Sequence, residues 1–493
     1  KKKLKPEAID TILMIGGSSR VPLVRTFVSH YFGGRPLRTE VHPDEAVALG
    51  AAVLGGIEDN AIHPGTIVIT DVAPWTLGVA VVEYRQRGKL SGVFSDTFMD
   101  ERMGLLLTAT YQDDTVRSDA VHEFYINPDS PGEFDANLDG VISADESDLL
   151  GLCCTSFGAR IQKKQRTGVT GMWQWQVSDS FEMSVDALFT RLDAPTVGYH
   201  ESYYVEDSIL PSGDHRWSDV SIVDHWVTGM TVAELIPEIS TITEYRVVDT
   251  TQFGWNGLWQ VNDRLSFALD AYQSESTRDS GGKDTWVVSG IDGKHTARVD
   301  MNSNALPDIS VTLEDGRDLA TALAAGELGD ADYGLHYIGL SGTDVNDKVT
   351  GFTLGGTWEM DAGSFKALKF GAARTERNKV RNTVENDTNG GSCQYCNLYG
   401  VTFESLGASV VRTVSLPNFM RNGGGNYPTT FVSFDIPAYL KALQALDGQP
   451  ILDENGDPML DEHGKPIVYD SSATLPEFNP VQSYDVQEDT NAL

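Results

Sequence analysis

The sequence predicts a mainly β fold: an incomplete transmembrane antiparallel β-barrel with long loops, preceded by a small α/β segment. Three observations support the β prediction. Apolar and polar residues alternate along three pairs of segments, each pair is joined by a tight polar turn, and the connections between pairs are long. A soluble sandwich with oversized loops is the alternative, because each strand signal is weak by itself.

The clearest pair of segments lies between Gly168 and Leu192. Its odd-numbered positions are apolar on both sides of the turn Ser178-Asp179-Ser180, namely Trp173, Trp175, Val177, Phe181, Met183, Val185, Ala187 and Phe189. Alternate side chains of a strand leave opposite faces, so this pattern predicts a hairpin with one apolar face. Each run also has roughly the 9–11 residues that a tilted strand needs to cross a bilayer.

The pattern returns in two further hairpins, around Asn262-Asp263 and around Asp361-Ala362-Gly363. Their apolar positions are Phe253, Trp255, Trp259, Val261, Leu265, Phe267, Leu269 and Ala271 in the first, and Phe352, Leu354, Trp358, Met360, Leu368, Phe370 and Ala372 in the second. Five of the nine tryptophans lie on the three hairpins, mostly near the turns, where a membrane barrel has its aromatic girdle. The connections, about Asp193–Thr251 and Glu275–Lys348, are predicted to be long loops. A further strand is predicted over Leu105–Tyr111.

The composition limits the possible partners and compartments. The chain has 71 acidic and 37 basic residues, a net charge of −34, which disfavours nucleic acid as a partner. It has no apolar run of roughly 18 residues, so helical membrane spans are not expected. The basic start Lys1–Pro6 lacks the apolar core of a signal peptide, so no export signal is expected.

The four cysteines, Cys153, Cys154, Cys393 and Cys396, permit three pairings. In an exported protein the Cys393-x-x-Cys396 spacing predicts a loop disulfide. In the cytosol the same spacing is compatible with half a metal site or a redox pair, and zinc is disfavoured because there is no second such motif. The histidines form no HExxH motif, and no Ser, His and Asp set has a hydrolase context.

The first residues predict a buried strand over Thr11–Ile15, a glycine turn over Gly16–Arg20 and a helix with Pro22 in its first turn. Glycines between a strand and a helix allow backbone amides to approach a nucleotide closely. A plain tight turn is the alternative, because the spacing matches neither the GxGxxG nor the Walker pattern.

Three motifs, IGGSSRVPLV, HPDEAVALGAAV and TDVAPWTLGV, resemble the end of the ATPase domain and the interdomain linker of DnaK-type heat-shock chaperones, in that order, over about residues 6–84. The resemblance implies a fragment of an actin-like ATPase domain that binds ATP or ADP at a partial site. The residues implied to line its adenosine pocket are Gly16, Gly17, Ser18 and Arg20, with Arg20 against the adenine and Asp44 nearby. His42 stands where the family usually has Asn. The family's phosphate-binding loops and catalytic Lys and Glu have no counterpart in this sequence, so hydrolysis is not expected and the chain is predicted not to be an enzyme.

Later segments resemble the barrel of a TonB-dependent outer-membrane receptor over about residues 90–493; they include FGWNGLWQVNDRL, ENDTNGGSCQYCNLYG and NPVQSYDVQEDTNAL. The resemblance implies an outer-membrane location and uptake of a siderophore, a cobalamin or a glycan, with membrane lipid and the TonB complex as partners. The family's plug, TonB box and closing strands are not in this sequence. We therefore expect a barrel portion that does not insert stably and does not function as it stands. The interpretation is a chimeric fusion: residues 1–84 chaperone-like, 85–92 a junction, and 93–493 receptor-like.

One stretch stands apart from both resemblances. The twelve residues from Asp135 to Glu146 match an EF-hand loop, with glycine at its sixth position. The oxygen ligands it predicts for Ca²⁺ are Asp135, Asn137, Asp139, Val141, Ser143 and Glu146. A solvated acidic turn is the alternative, and Pro128 and Pro131 disfavour an entering helix. A soluble calcium-binding β-protein is thus a third hypothesis beside the receptor portion and the chaperone remnant. Two acidic turns, Leu452–Pro458 and Leu460–Pro466, are predicted to lie in a surface loop.

Overall fold

The computed structural model describes residues 69–73, 76–126, 141, 143, 149–208, 210–301, 307–362, 365–421, 427–453, 455–461 and 463–492. The chain divides into two compact units, Lys1–Ile67 and Val68–Leu493, and the described residues belong to the second. This second unit is mainly β, as predicted.

The strands described are β1 Ile69–Ala73, β2 Thr76–Phe98, β3 Met103–Ile126, β4 Gly151–Ser178, β5 Phe181–Asp193, β6 Thr196–Tyr204, β7 Trp217–Val223, β8 Trp226–Leu235, β9 Glu238–Glu244, β10 Val247–Asn262, β11 Leu265–Asp279, β12 Asp284–Ile291, β13 His295–Asp300, β14 Asp308–Thr312, β15 Tyr333–Ala362, β16 Phe365–Glu385, β17 Leu398–Thr402, β18 Val411–Ser415, β19 Thr430–Phe434, β20 Glu477–Phe478 and β21 Tyr484–Ala492. The α-helices described are α1 Leu319–Ala325 and α2 Ile436–Ala445. Short 3₁₀ turns cover Asn386–Asn389, Gly391–Cys393 and Ser471–Thr474.

Fifteen strands form one antiparallel sheet, which runs β1-β2-β3-β4 and ends beyond β15 with β16 and β21. Between β4 and β15 the sheet has two sets of shorter strands: β5-β10-β11 in one half and β6-β9-β12 in the other. β5 and β6 are consecutive parts of one partner of β4, because Asp193 pairs with Gln165 and Thr196 pairs with Gln162. Pro195, which has no N–H to donate, lies in the break between them. Among the described strands the sheet is open, with β1 and β21 at its edges.

The three predicted hairpins are confirmed. Their strands meet across the pairs Ser178–Phe181, Asn262–Leu265 and Ala362–Phe365. The predicted strand over Leu105–Tyr111 is part of β3, which pairs with β2 across a fourth turn. All four turns lie at the same end of the sheet, here called the turn end, and the opposite end is called the loop end. The half of the sheet next to the turn end is the turn half, and the half next to the loop end is the loop half.

The predicted loops were wrong in extent, because strands continue far into them. β6, β9 and the start of β10 lie within the predicted loop Asp193–Thr251, and β12 and the start of β15 lie within Glu275–Lys348. In these stretches one face is packed against protein and the other is polar with interspersed apolar residues. The simple alternation that marks a strand with one solvated face is therefore lost.

The long connections at the loop end fold into a compact assembly, here called the head. Its described residues lie within 205–237, 292–332 and 386–483, and they contain a second sheet β14-β13-β8-β7, the pair β18-β19, and the two α-helices described above. α1 is capped at its start by Asp318, whose carboxylate accepts from the Thr321 amide at 2.8 Å, and ends at Gly326 with φ 70°. The core of the head includes the fully buried side chains of Tyr333, Tyr395, Phe403, Phe431 and Tyr439. This core is continuous with Val121, Phe157, Ile239 and Val287 of the main sheet.

The predicted junction over residues 85–92 lies inside a single strand. β2 runs from Thr76 to Phe98 and pairs with β3 along its length, with a register shift only between Gln86 and Gly88. The last part of the chaperone-like sequence is thus built into the same sheet as the receptor-like sequence.

Candidate functional site

One face of the main sheet, in the half near the turns, is apolar and exposed. Register places Leu105, Trp173 and Val185 opposite one another on three neighbouring strands. The same alignment continues through Trp255, Ala271 and Phe352 on the next strands. This surface, here called the apolar band, comprises Leu90, Phe94, Phe98, Met103, Leu105, Leu107, Tyr111, Val169, Trp173, Trp175, Val177, Phe181, Met183, Val185, Ala187, Phe189, Phe253, Trp255, Trp259, Val261, Leu265, Phe267, Leu269, Ala271, Phe352, Leu354, Trp358, Leu368, Phe370 and Ala372.

The exposure of the band is unusual for such large side chains. Phe253 is 61% exposed, Trp358 49% and Trp259 48%. Trp173, Trp175 and Trp255 are half-buried by neighbouring strands rather than enclosed in a core. Contiguous apolar patches larger than a few hundred Å² are rare on soluble monomers and mark an interaction surface.

Aromatic rings are concentrated where the band reaches the turns. The Trp173 and Trp175 rings stack at 5.7 Å between centroids, Trp259 lies 6.2 Å from Phe267, and Phe267 lies 6.1 Å from Phe370. Aromatic side chains combine a large apolar surface with a preference for a boundary between apolar and wet surroundings.

Toward the loop end the band stops at a row of polar side chains on the same face. On β4 the exposed residues Lys163, Gln165 and Thr167 follow the band, and beyond them Ile161 packs against the head. The corresponding positions on other strands, Arg191, Asp249, Glu275, Lys348 and Glu376, complete a surface here called the polar collar. The same face therefore has three zones: the band, the collar and the part covered by the head.

The opposite face of the turn half is predominantly polar. Gln174, Ser184, Asn256, Asp270 and Thr353 lie in register across five strands. Near the turns a cavity of about 500 Å³ is lined mainly by this face, with residues from β4, β5, β10, β11, β15 and β16. The two faces thus differ sharply in chemistry at the same height.

Strand β6 of the main sheet carries buried ionisable groups. Burial raises the pKa of Glu201 to about 7, although the Tyr203 hydroxyl, which donates to its carboxylate, opposes that rise. Burial likewise raises the pKa of Tyr203 well above its usual value. The pKa of His200 falls to about 4, first because of burial and then because of the Arg160 charge.

A second cavity, of about 440 Å³, lies in the head. It is lined by Asp292, His295, Glu314, Arg317 and Asp332 above an apolar floor of leucine and isoleucine. His295 is buried, accepts from the Glu314 amide at 2.9 Å and lies with Nε2 3.2 Å from the Ile291 carbonyl. Arg317 pairs with Asp315 at 2.7 Å. The hydrogen bonds around His295 and Arg317 are thus already satisfied by neighbouring residues.

The site residues predicted from the sequence lie largely outside the described residues. This applies to Gly16, Gly17, Ser18, Arg20 and Asp44 of the nucleotide site, and to Asp135, Asn137, Asp139 and Glu146 of the calcium loop. Of the calcium ligands, Val141 and Ser143 are described, and both are exposed. Both sites remain predictions.

The predicted disulfide Cys393–Cys396 is present, at the 3₁₀ turn Gly391–Cys393. The structure also joins the adjacent residues Cys153 and Cys154 by a disulfide, a pairing that sequence reasoning left open. Among the described residues, the group of His, Cys, Asp or Glu side chains with metal-ligand spacing is Cys153, Cys154 and Glu206.

The comparisons with known proteins concern the N-terminal segment. Residues 1–92 match the family model for the Hsp70 protein. The chaperone protein DnaK of Thermosipho africanus is 48% identical over 81 residues, and that of Thermosipho melanesiensis is 46% identical over 81 residues; each alignment covers 16% of this chain and 13% of the relative. A heat shock protein of Pyricularia oryzae is 43% identical over 77 residues, which are 15% of this chain and 12% of that protein. The chain thus spans about an eighth of the length of these relatives.

No solved structure matches the chain. Within the described residues, no helix has the length and apolar character needed to cross a membrane. The N-terminal segment therefore resembles an Hsp70-type chaperone.

Proposed function

We propose that residues 93–493 are a portion of an outer-membrane receptor of the TonB-dependent type, a class that takes up a small molecule or glycan. This portion does not transport by itself, and membrane lipid covers its apolar band. The single observation that carries this proposal is the band itself: a continuous exposed apolar surface whose limits shift by no more than two residues between these neighbouring strands. A folded protein in water gains nothing from leaving so much apolar surface uncovered.

The height of the band supports lipid as its occupant. On β5 the band runs from Phe181 to Phe189 and then meets Arg191. Nine residues at roughly 3.3 Å each, tilted by about 40°, reach about 23 Å, close to the roughly 25 Å apolar belt of outer-membrane barrels. On β4 and β10 the band has the same length, from Val169 to Val177 and from Phe253 to Val261.

Two further features agree with a lipid layer around the apolar band. Aromatic rings are concentrated at the turn limit and charged groups form the collar at the other limit, as expected for the two boundaries of an apolar layer. Short turns at one end and a large folded head at the other correspond to the periplasmic and external sides of such a receptor. The polar face with its 500 Å³ cavity is then the side away from lipid.

The test is folding into detergent micelles followed by electrophoresis with and without boiling, together with fractionation of the expressing cells. The proposal expects a band whose migration changes on boiling, and recovery of the chain with membranes. A chain that stays in the aqueous fraction and migrates identically in both samples contradicts it.

The family match favours a second function for the N-terminal segment. We propose that residues 1–84 retain part of an adenosine site, with Gly16, Gly17, Ser18, Arg20 and Asp44 as its residues, and bind ATP or ADP without hydrolysis. Nucleotide-dependent protection of this segment from proteolysis would support binding. Steady-state phosphate release above background would contradict the absence of hydrolysis.

We also propose that the loop Asp135–Glu146 binds Ca²⁺, because its oxygen-bearing residues and Gly140 have EF-hand spacing. Titration calorimetry of the intact protein and of Asp139→Ala tests this. We expect binding heat in the intact protein that disappears in the variant. Equal heats in both proteins would show that this loop does not bind Ca²⁺.

A further inference from the structure

Three side chains near the start of β4 combine the properties of a soft-metal site. One sulfur each from Cys153 and Cys154 and one carboxylate oxygen of Glu206 all lie within 4.8 Å of one another. All three residues are half-buried, so an ion can reach them from solvent. The Oε2 atom of Glu206 is buried and has no hydrogen-bond partner, which is a costly state for a carboxylate oxygen.

A β-bulge explains how two adjacent cysteines serve one site. Phe124 pairs with Cys154, whereas Tyr125 pairs with Leu152, so Cys153 is an extra residue on β4. In a regular strand neighbouring side chains leave opposite faces, and a bulge re-aims one of them. The sequence shows two cysteines in a row, but it does not show the bulge that brings their sulfurs together.

Glu206, the third residue of the site, is held in place by hydrogen bonds of its own backbone and of the adjacent Val205. The amide of Val205, a fully buried residue, donates to the Cys153 carbonyl at 2.7 Å. The Trp217 indole donates to the Val205 carbonyl at 2.5 Å, and Arg216 donates to the Glu206 carbonyl at 3.1 Å. The Glu206 side chain is therefore positioned beside the cysteines by a rigid loop.

Arg216, whose charge interacts with that of Glu206, already donates to backbone oxygens. Arg216 also donates to the carbonyls of Ala233 at 3.0 Å and Glu234 at 3.4 Å, so its guanidinium is directed at backbone oxygens rather than at the Glu206 carboxylate. The carboxylate stays available for another cation.

We propose that the reduced form of the Cys153–Cys154 pair, together with Glu206, binds one thiophilic divalent cation of the zinc and cadmium class. A thiol reductant supplies two electrons and two protons: the bond between the two sulfurs breaks, two thiols form, and the reductant leaves as its own disulfide. The metal then displaces one proton from each thiol and is held by two thiolates and one carboxylate. Water takes the fourth position of a tetrahedral site. This site is independent of the proposed membrane function.

The second cysteine pair is removed before the test, because Cys393 and Cys396 would bind the same ions. The full chain carrying Cys393→Ser and Cys396→Ser is reduced with dithiothreitol, freed of reductant without oxygen and titrated with Cd²⁺. The readouts are the ultraviolet absorbance of thiolate-to-cadmium charge transfer and the protons released. The same protein left oxidised is the matched control, since it has an unchanged sequence and no thiols.

We expect one Cd²⁺ per chain and two protons released in the reduced sample, and no charge-transfer band in the oxidised one. Glu206→Gln keeps the size of the side chain and removes its charge, and it should weaken the affinity by at least about tenfold. Glu182→Gln, an exposed carboxylate on the polar face, should leave it unchanged. A reduced sample without the band, or Glu206→Gln with unaltered affinity, would overturn the proposed site.

Discussion

The two halves of the main sheet share the long strands β3, β4 and β15, yet the apolar side chains on their common face are covered in one half and exposed in the other. In the loop half that face is covered by the head, and side chains such as Val121 and Val287 are fully buried. In the turn half the same face is left uncovered, and Phe253 is 61% exposed. The apolar face of the turn half therefore depends on its surroundings for the cover that the loop half obtains from its own chain.

The largest expected effect is in the head core. Phe403 is fully buried, with its ring 4.9 Å from that of Tyr439 and 5.3 Å from that of Phe434. Phe403→Ala removes this packing and leaves a cavity, so it should destabilise the head by about 3–5 kcal/mol. Denaturant unfolding followed by near-ultraviolet circular dichroism measures the loss. Phe253→Ala in aqueous detergent-free buffer is the control and should cost much less, because its ring has little protein packing to lose.

The next effect should appear only in lipid. Val185→Arg places a charge in the middle of the band and should cost about 2–4 kcal/mol of stability in vesicles. Ser184→Arg, one residue away on the polar face, is the matched control and should be nearly neutral. Urea titration of both variants in vesicles measures the difference. Equal costs for the two variants would mean that lipid does not contact the band.

The sequence predicted the strands of the turn half far better than those of the loop half. Alternation around Trp173, Trp255 and Phe352 is visible because one face of each strand is apolar and the other polar. The loop half has lost that signal: Phe157 and Ala159 are buried by the head, whereas Arg160 beside them is exposed, and β6 adds Tyr199 and Tyr203 without a clear period. In the loop half, burial depends on packing against residues that are distant in sequence. A local sequence pattern therefore cannot predict it.

The candidate sites also differ in how far the sequence could predict them. Most of the band residues follow from local alternation along the three predicted hairpins, whereas Leu90, Phe94, Phe98 and Met103 on β2 and β3 were not predicted. The group of Cys153, Cys154 and Glu206 depends on a bulge and on a loop that returns about fifty residues later, so spacing alone did not reveal it. The chaperone-like motifs were recognised from sequence, and the family match over residues 1–92 agrees with that resemblance.

A smaller effect concerns the pH dependence of stability and the buried Glu201 on β6. Burial raises the pKa of Glu201 from its ordinary 4.5 to about 7, so the folded protein holds a proton that the unfolded chain has lost between these values. Stability should therefore fall as the pH rises from 4.5 to 7 and level off above, with a total change of about 3 kcal/mol. Glu201→Gln should flatten this profile, measured by unfolding at pH values of about 5 and about 8. An unchanged profile in the variant would assign the pH dependence to other groups.

The smallest effect is expected at the turn end. Arg102 and Asp179 form an exposed ion pair at 2.5 Å between two turns. Solvent screens such pairs, so Arg102→Ala should change the stability by less than about 0.5 kcal/mol in either water or vesicles. A loss above about 1 kcal/mol, measured by the same urea titration, would show that the turns are coupled more strongly than their exposure indicates.

The most direct test of the account is tryptophan fluorescence in vesicles whose acyl chains carry bromine, which quenches indoles in contact with them. Five tryptophans lie on the apolar band, Trp173, Trp175, Trp255, Trp259 and Trp358, whereas Trp217, Trp226 and Trp286 lie elsewhere in the described part of the chain. We predict strong quenching of the intact chain and its near-complete loss when the five band tryptophans are replaced by phenylalanine. Quenching that is absent in the intact chain, or undiminished in the variant, would contradict a lipid-covered band.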